Sequence, residues 1–162
     1  MKTWTRSTRS SEEEVRGQRS EVRDQGSAET EIRVGIMQIN SAKDLKVYKV
    51  AYDLAMRIFE LTKSFPPEER FALTGQIRRS SRSVCLNLRE AWAKRRYEAH
   101  FISKLTDCDG ENSETDSSLD FAADCQYITA EQHTDLICRC QEVGRMLGSM
   151  MKNPDSFLIT NR

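Results

Sequence analysis

The sequence predicts an all-α fold, an antiparallel up-down four-helix bundle with a disordered N-terminal extension, and three observations carry that expectation. Three Pro and seven Gly in 162 residues are too few turn-formers for a many-stranded sandwich. From residue 44 onward, apolar side chains recur every three to four positions, the period of one helical face. The connections between these stretches are short, which favours antiparallel neighbours. A chain of this length fits one domain and can bury a core without disulfides or metal.

Residues 1–43 hold few large apolar side chains, among them Trp4, Val15, Val22, Ile32, Val34, Ile36, Met37 and Ile39. Seven basic and seven acidic residues between Lys2 and Arg33 alternate with Ser, Thr, Gln and Gly. Such a composition predicts disorder. Met37 also offers a second translation start, which would leave residues 1–36 outside the folded protein; the intact mass of the natively expressed chain distinguishes the two starts. The expected organisation is an extension over 1–43, a bundle over 44–153 and a tail over 154–162.

The first helix carries two apolar lines. Tyr48, Ala51, Tyr52, Ala55, Ile58, Phe59 and Thr62 follow one face, and Val47, Leu54 and Leu61 form another about 100° away. Either the core face is wide or one line packs on other subunits. Pro66-Pro67 ends this helix, and Glu68-Glu69 suit the positive end of the next, expected over 68–93 with Leu73, Ile77, Val84, Leu88 and Ala91 inward and Trp92 at the edge. The third helix, over 98–126, repeats Phe101, Leu105, Cys108, Asn112, Thr115, Leu119 and Ala122 as a heptad seam with a polar middle. Asn112 and Thr115 there require polar partners, because an unpaired buried amide or hydroxyl costs about 1–3 kcal/mol. Thr129 and Gln132 form a capping box for the fourth helix, whose seam is His133, Leu136, Cys140, Val143, Leu147 and Met150 before Asn153-Pro154 ends it.

Several function classes have no signal. No apolar run approaches the roughly 20 residues that cross a bilayer, and the first residues lack the apolar core of a signal peptide, so a soluble cytoplasmic protein with no membrane role is expected. The five cysteines, Cys85, Cys108, Cys125, Cys138 and Cys140, are odd in number and lack zinc-ligand spacing, so buried reduced thiols are expected and no metal. His100 and His133 have no nucleophile in a catalytic arrangement near them, and no phosphate loop, dinucleotide fingerprint or HExxH occurs. No enzyme activity, catalytic residue or cofactor is expected.

The charge pattern is informative. The chain has 25 Lys+Arg and 25 Asp+Glu, yet from Arg70 to Arg96 eight bases meet one acid, Glu90, while from Glu98 to Asp124 eight acids meet one base, Lys104. On the second helix Arg78, Arg82 and Arg89 lie within about 40° of one another, with Arg79 further round. The basic run continues through Lys94, Arg95, Arg96 and Tyr97. In one reading these seven bases contact phosphates of RNA or DNA, with Tyr97 or Trp92 stacking on a base. In the other they pair with the acids of the third helix, within one chain or across subunits. A second polar line, Gln76, Ser83, Asn87 and Glu90, either admits a close helix or faces solvent.

The stretch from Leu61 to Leu105 resembles the four-helix-bundle proteins encoded by intervening sequences in bacterial 23S ribosomal RNA genes. Leu61, Thr62, Phe65 and Pro66 match that family's turn; Gln76, Arg78 and Arg79 its first basic segment; Ser83, Asn87 and Glu90 the next; and Arg95 and Arg96 its basic junction. Arg89-Glu90-Ala91 stands where the family commonly has Ala-Glu-Gly, which makes the end of the second helix more regular. The resemblance spans about 44–152 and implies a homo-oligomer, typically a ring of five. It extends to the accessory variability protein of diversity-generating retroelements, a pentameric bundle that binds a reverse transcriptase and nucleic acid. The expectation is a non-enzymatic oligomeric scaffold binding nucleic acid through Arg78, Arg79, Arg82, Arg89, Lys94, Arg95, Arg96 and Tyr97. The alternative is an adaptor presenting the acidic third helix to a basic protein such as a reverse transcriptase.

Overall fold

The computed structural model describes residues 39–159. Four helices, α1 (Lys46–Leu61), α2 (Leu73–Lys94), α3 (Glu98–Asp124) and α4 (Ala130–Lys152), form the expected bundle. Each helix packs on the two beside it in the cyclic order α1, α2, α3, α4. The Met37 start and most of the 1–43 extension lie outside the described residues, but the extension's expected end is corrected. Ser41 caps a 3-10 turn, Ala42–Asp44, through a capping box, and Ala42 is fully buried against the core. The bundle therefore begins before residue 44.

The core has two apolar halves. One gathers Leu45, Val47, Leu88, Phe101, Leu105, Val143 and Leu147; the other gathers Leu54, Ile58, Ile77, Leu119, Ala122 and Leu136. A polar layer on α2 and α3 meets in between. Thr115 Oγ1 donates to Ser80 Oγ at 2.9 Å or to the Glu111 carbonyl at 2.9 Å, and Asn112 Nδ2 donates to the Cys140 carbonyl at 3.0 Å. Thr115 is thus satisfied, whereas Asn112 is satisfied through its amide N–H alone and its Oδ1 is buried without a partner among the described residues, a group that costs about 1–3 kcal/mol when left unpaired.

On α1 the buried residues Val47, Ala51, Leu54, Ala55 and Ile58 come from both apolar lines. The wide core face accounts for both lines, and the aromatic members Tyr48, Tyr52 and Phe59 are left along the edge beside α2.

Helix α2 starts at Leu73 rather than 68. Pro67–Phe71 is a 3-10 turn, and Ala72 breaks the helical backbone at φ −102°, ψ −113°. The Glu69 carboxylate accepts from the Leu73 N–H at 3.1 Å, doing the work of a cap from four residues upstream, and from the Tyr127 hydroxyl at 3.1 Å. Gly75 permits the turn to sit this close, since a Cβ there would lie 3.2 Å from the Arg70 carbonyl oxygen.

Helix α3 ends in a Schellman motif: Tyr127 N–H donates to the Ala122 carbonyl and Gln126 N–H to the Ala123 carbonyl, both at 2.9 Å. This requires Gln126 at φ 61°, where a Cβ is strained. Gln126→Gly is expected to raise stability by roughly 0.5–1 kcal/mol in chemical denaturation. The Thr129–Gln132 capping box opens α4 as expected, and Thr129→Ala should cost about 1 kcal/mol by the same measurement.

The tail folds back. Pro154–Ser156 is a 3-10 turn, the Phe157 ring lies 6.1 Å from Phe101, and Ile159 N–H donates to the Arg95 carbonyl at 3.2 Å.

The cysteines divide. Cys85, Cys108 and Cys140 are buried, whereas Cys125 and Cys138 are exposed, which corrects the expectation of uniformly buried thiols; all five are free. Burial pushes Cys85 up to about 11 and Cys108 and Cys140 up to about 12. A thiol reagent at neutral pH should label two cysteines in the native protein and five in denaturant, read by intact mass.

Candidate nucleic-acid interface

The basic residues of α2 separate into three groups once the helix is packed. Arg78, Arg82 and Arg89 lie on its α1-facing edge. Arg78 Nε donates to Thr62 Oγ1 at 2.7 Å, and the guanidinium groups of Arg78 and Arg82 lie 5.0 and 5.5 Å from the Phe59 ring centroid. Arg89 donates to Ser41 Oγ at 2.8 Å. None of the three has a carboxylate partner among the described residues.

Arg79 points the other way and pairs with Glu114 of α3 at 2.9 Å. Lys94 reaches back to Glu90 at 3.7 Å. Both pairs are substantially exposed, and such contacts contribute no more than about 1 kcal/mol. Even so, they direct the two side chains away from the α1 edge.

At the α2–α3 junction, Arg95 turns back over the Trp92 ring, 4.0 Å from its centroid, and donates to the Trp92 carbonyl. That ring face is thereby occupied. Arg96 is exposed with no ion pair among the described residues, and Tyr97 is exposed with its ring edge-on to His100 at 5.5 Å. The seven bases therefore do not form one patch. They form a stripe facing α1, a cluster at the bundle end, and a member turned toward α3.

Three of the eight acids of α3, Asp107, Glu114 and Asp120, have ion-pair partners among the described residues. Lys104 Nζ bridges Asp107 at 2.9 Å and Glu90 at 3.0 Å, and it also donates to Asn87 Oδ1 at 3.4 Å. The second polar line of α2 thus borders α3, with Lys104 spanning the two helices. Accepting a hydrogen bond from Lys104 holds the Glu90 carboxyl below the usual carboxylate range, while donating to Asp107 and then to Glu90 raises Lys104. Asp120 accepts from His133 Nε2 at 2.8 Å when that nitrogen is protonated, so His133 is a tethered first-turn residue of α4. Asp116 is pushed upward by burial and by Asp120, against a smaller opposing effect of His133.

Residues of α1 that the sequence reading assigned to packing complete the basic stripe. Tyr48 and Tyr52 stack at 6.3 Å with their planes 15° apart, and Tyr52 is 54% exposed. With Lys43 and Lys49 they line an open groove of about 320 Å³. The Tyr48 carbonyl lies 4.0 Å from Cys85 Sγ, which places this part of α1 against α2. A signal for these tyrosines existed: they sit on the same α1 edge as Phe59, and a tyrosine hydroxyl at a core margin needs water or a partner.

Among the described residues no helix is long and apolar enough to cross a membrane, and no three His, Cys, Asp or Glu side chains gather as metal ligands. The fold and its surface define an all-α bundle with a lysine- and tyrosine-lined groove on α1 and the turn before it, alongside the arginine edge of α2. The 23S rRNA-intervening sequence protein model matches residues 43–149, and the chain belongs to that family. A crystal structure of a protein of unknown function from the S23 ribosomal protein family of Bacteroides thetaiotaomicron is similar over 66% of this chain and 96% of that one, at 32% identity and a TM-score of 0.61. No curated protein matches the chain.

Proposed function

We propose that this protein is a non-enzymatic, homo-oligomeric scaffold that binds RNA or DNA through the α1–α2 face. The observation that carries the reading is the absence of carboxylate partners for Arg82 and Arg89 among the described residues, although the chain contains as many acids as bases. Guanidinium groups left unpaired beside lysines and an exposed tyrosine suit a polyanion with flat bases. Arg82, Arg89, Lys43 and Lys49 form the principal contact set. Arg78 supports it from a half-buried position. Arg95, Arg96 and Tyr97 provide a second contact at the bundle end, about 10 Å beyond Arg89 along the helix axis. Arg79 and Lys94 contribute only to the general field.

The test is a titration of labelled RNA and DNA with the full chain at about 50 and 200 mM salt. Binding at the lower salt that weakens steeply at the higher supports the reading; no binding at the lower overturns it.

The oligomer draws support from large apolar side chains left on the surface, Phe71 at 90% and Phe121 at 64% exposure. Exposed apolar groups mark a docking face where they gather into one patch, and these two are the candidates for it. Five subunits is the number carried over from the resemblance. Light scattering should give a multiple of the single-chain mass, reduced by Phe71→Ser with Phe121→Ser; a monomer would contradict the assembly.

The second reading, an adaptor for a basic protein such as a reverse transcriptase, is favoured by Glu111, whose Oε2 is buried without a hydrogen-bond partner beside Asp107 and Glu114. In that case a basic protein would bind in a manner dependent on Glu111 and Glu114 while nucleic acid alone would not.

A further inference from the structure

Two surfaces of different chemistry run side by side along the α1–α2 edge, next to the groove that Lys43, Tyr48, Lys49 and Tyr52 line. One is cationic: Arg82 and Arg89 are two helical turns apart on α2, about 10 Å. The other is aromatic. Of the aromatic rings near these bases, Phe59 already has cations over it, with Lys63 Nζ at 4.8 Å in addition to the two arginines. Trp92 is covered by Arg95. Tyr52 is the ring in the groove that remains largely open, and it is backed by Tyr48 in a near-parallel stack.

We propose that the groove takes a single-stranded nucleic acid, with a base stacking on Tyr52 beside Tyr48 while Arg82, Arg89 and Lys49 hold the neighbouring phosphates. This rests on the reading of the α1–α2 face as a nucleic-acid surface and goes further by selecting the strand state. In a duplex the base faces are already stacked on one another and hidden from a side chain; an unpaired base offers its face at no unpairing cost. A surface meant only for duplex phosphates needs bases and no open aromatic ring. The stacked tyrosine pair also tolerates any base, since every base has a π-face, so the selectivity is for strandedness rather than sequence. Tyr48, whose hydroxyl is pushed upward first by burial and then by Cys85, keeps its proton at neutral pH and remains a hydrogen-bond donor at the groove floor.

The experiment measures affinity of the full chain for an RNA 12-mer, the DNA 12-mer of the same sequence and the corresponding RNA duplex by fluorescence anisotropy. It uses wild type, Tyr52→Ala, Tyr52→Phe and Arg82→Ala with Arg89→Ala, and records mass by light scattering for each. The expected result is tighter binding of single strands than duplex, a loss of about tenfold or more on single strands for Tyr52→Ala, little change on duplex, and recovery with Tyr52→Phe, which keeps the ring. Comparing the RNA and DNA strands shows whether the 2′-hydroxyl adds to stacking. Equal affinity for duplex and single strand, or an unchanged single-strand affinity in Tyr52→Ala, overturns the proposal while a loss in the arginine variant still upholds the nucleic-acid face. A nucleic-acid affinity indifferent to the arginine variant removes the face itself. A change of mass in Tyr52→Ala overturns the proposal by assigning the tyrosine to a subunit boundary.

Discussion

Reversing charge at Arg82 and Arg89 together is expected to reduce nucleic-acid affinity at least a hundredfold near 100 mM salt, whereas Arg79→Glu changes it only severalfold. The difference follows from the partners. Arg82 and Arg89 have none of opposite charge among the described residues, so glutamates there place two negative charges where phosphates would lie. Arg79 faces Glu114 across the α2–α3 boundary, so its reversal mainly affects α3. Losing two single-strand phosphate contacts should also lower the log-affinity against log-salt slope by about 1.4. Anisotropy titrations of the three proteins with one labelled strand check both numbers. Both arginines lie on an exposed helix edge, so thermal unfolding should shift little.

Phe101→Ala is expected to be the most damaging single change to stability, at about 3–5 kcal/mol in urea unfolding. Phe101 is 1% exposed, is the largest of the fully buried side chains, and stacks on Phe157 of the returning tail. Its removal opens a cavity at the bundle end and loosens the tail, whose Ile159 N–H is bonded to the Arg95 carbonyl. The bundle-end contact at Arg95 and Arg96 should weaken with it. Trimming Phe157→Ala alone, a partly buried residue, should cost less and leave the core intact.

The heptad seam of α3 and the capping box at Thr129 were legible because each is a local pattern whose meaning does not depend on what packs against it. The start of α2 was not. Glu68 and Glu69 look like first-turn acids, but Glu69 reaches forward to cap Leu73 while it also holds Tyr127 from the far end of α3, a contact that no local window contains.

The candidate site was legible by halves for the same reason. A helical wheel grouped Arg78, Arg82 and Arg89 correctly. It could not tell that the neighbouring Arg79 would meet Glu114, thirty-five residues on. Nor could it distinguish an aromatic residue at the core margin from one within it, so Tyr48 and Tyr52 read as packing until α2 was placed beside them. Their apolar bodies satisfy the helical period while their exposed edges remain available to a ligand.

The central claim is that guanidinium groups on the α1 side of α2 meet an anion. Arginine footprinting tests it most directly: the full chain is treated with phenylglyoxal with and without saturating single-stranded RNA, and modification at each arginine is read by peptide mass. The account predicts protection of Arg82 and Arg89 by the RNA, with Arg145 on α4 and Arg57, on the side of α1 that meets Asp135 of α4, modified equally in both samples. Uniform modification of Arg82 and Arg89 with and without bound RNA would contradict it.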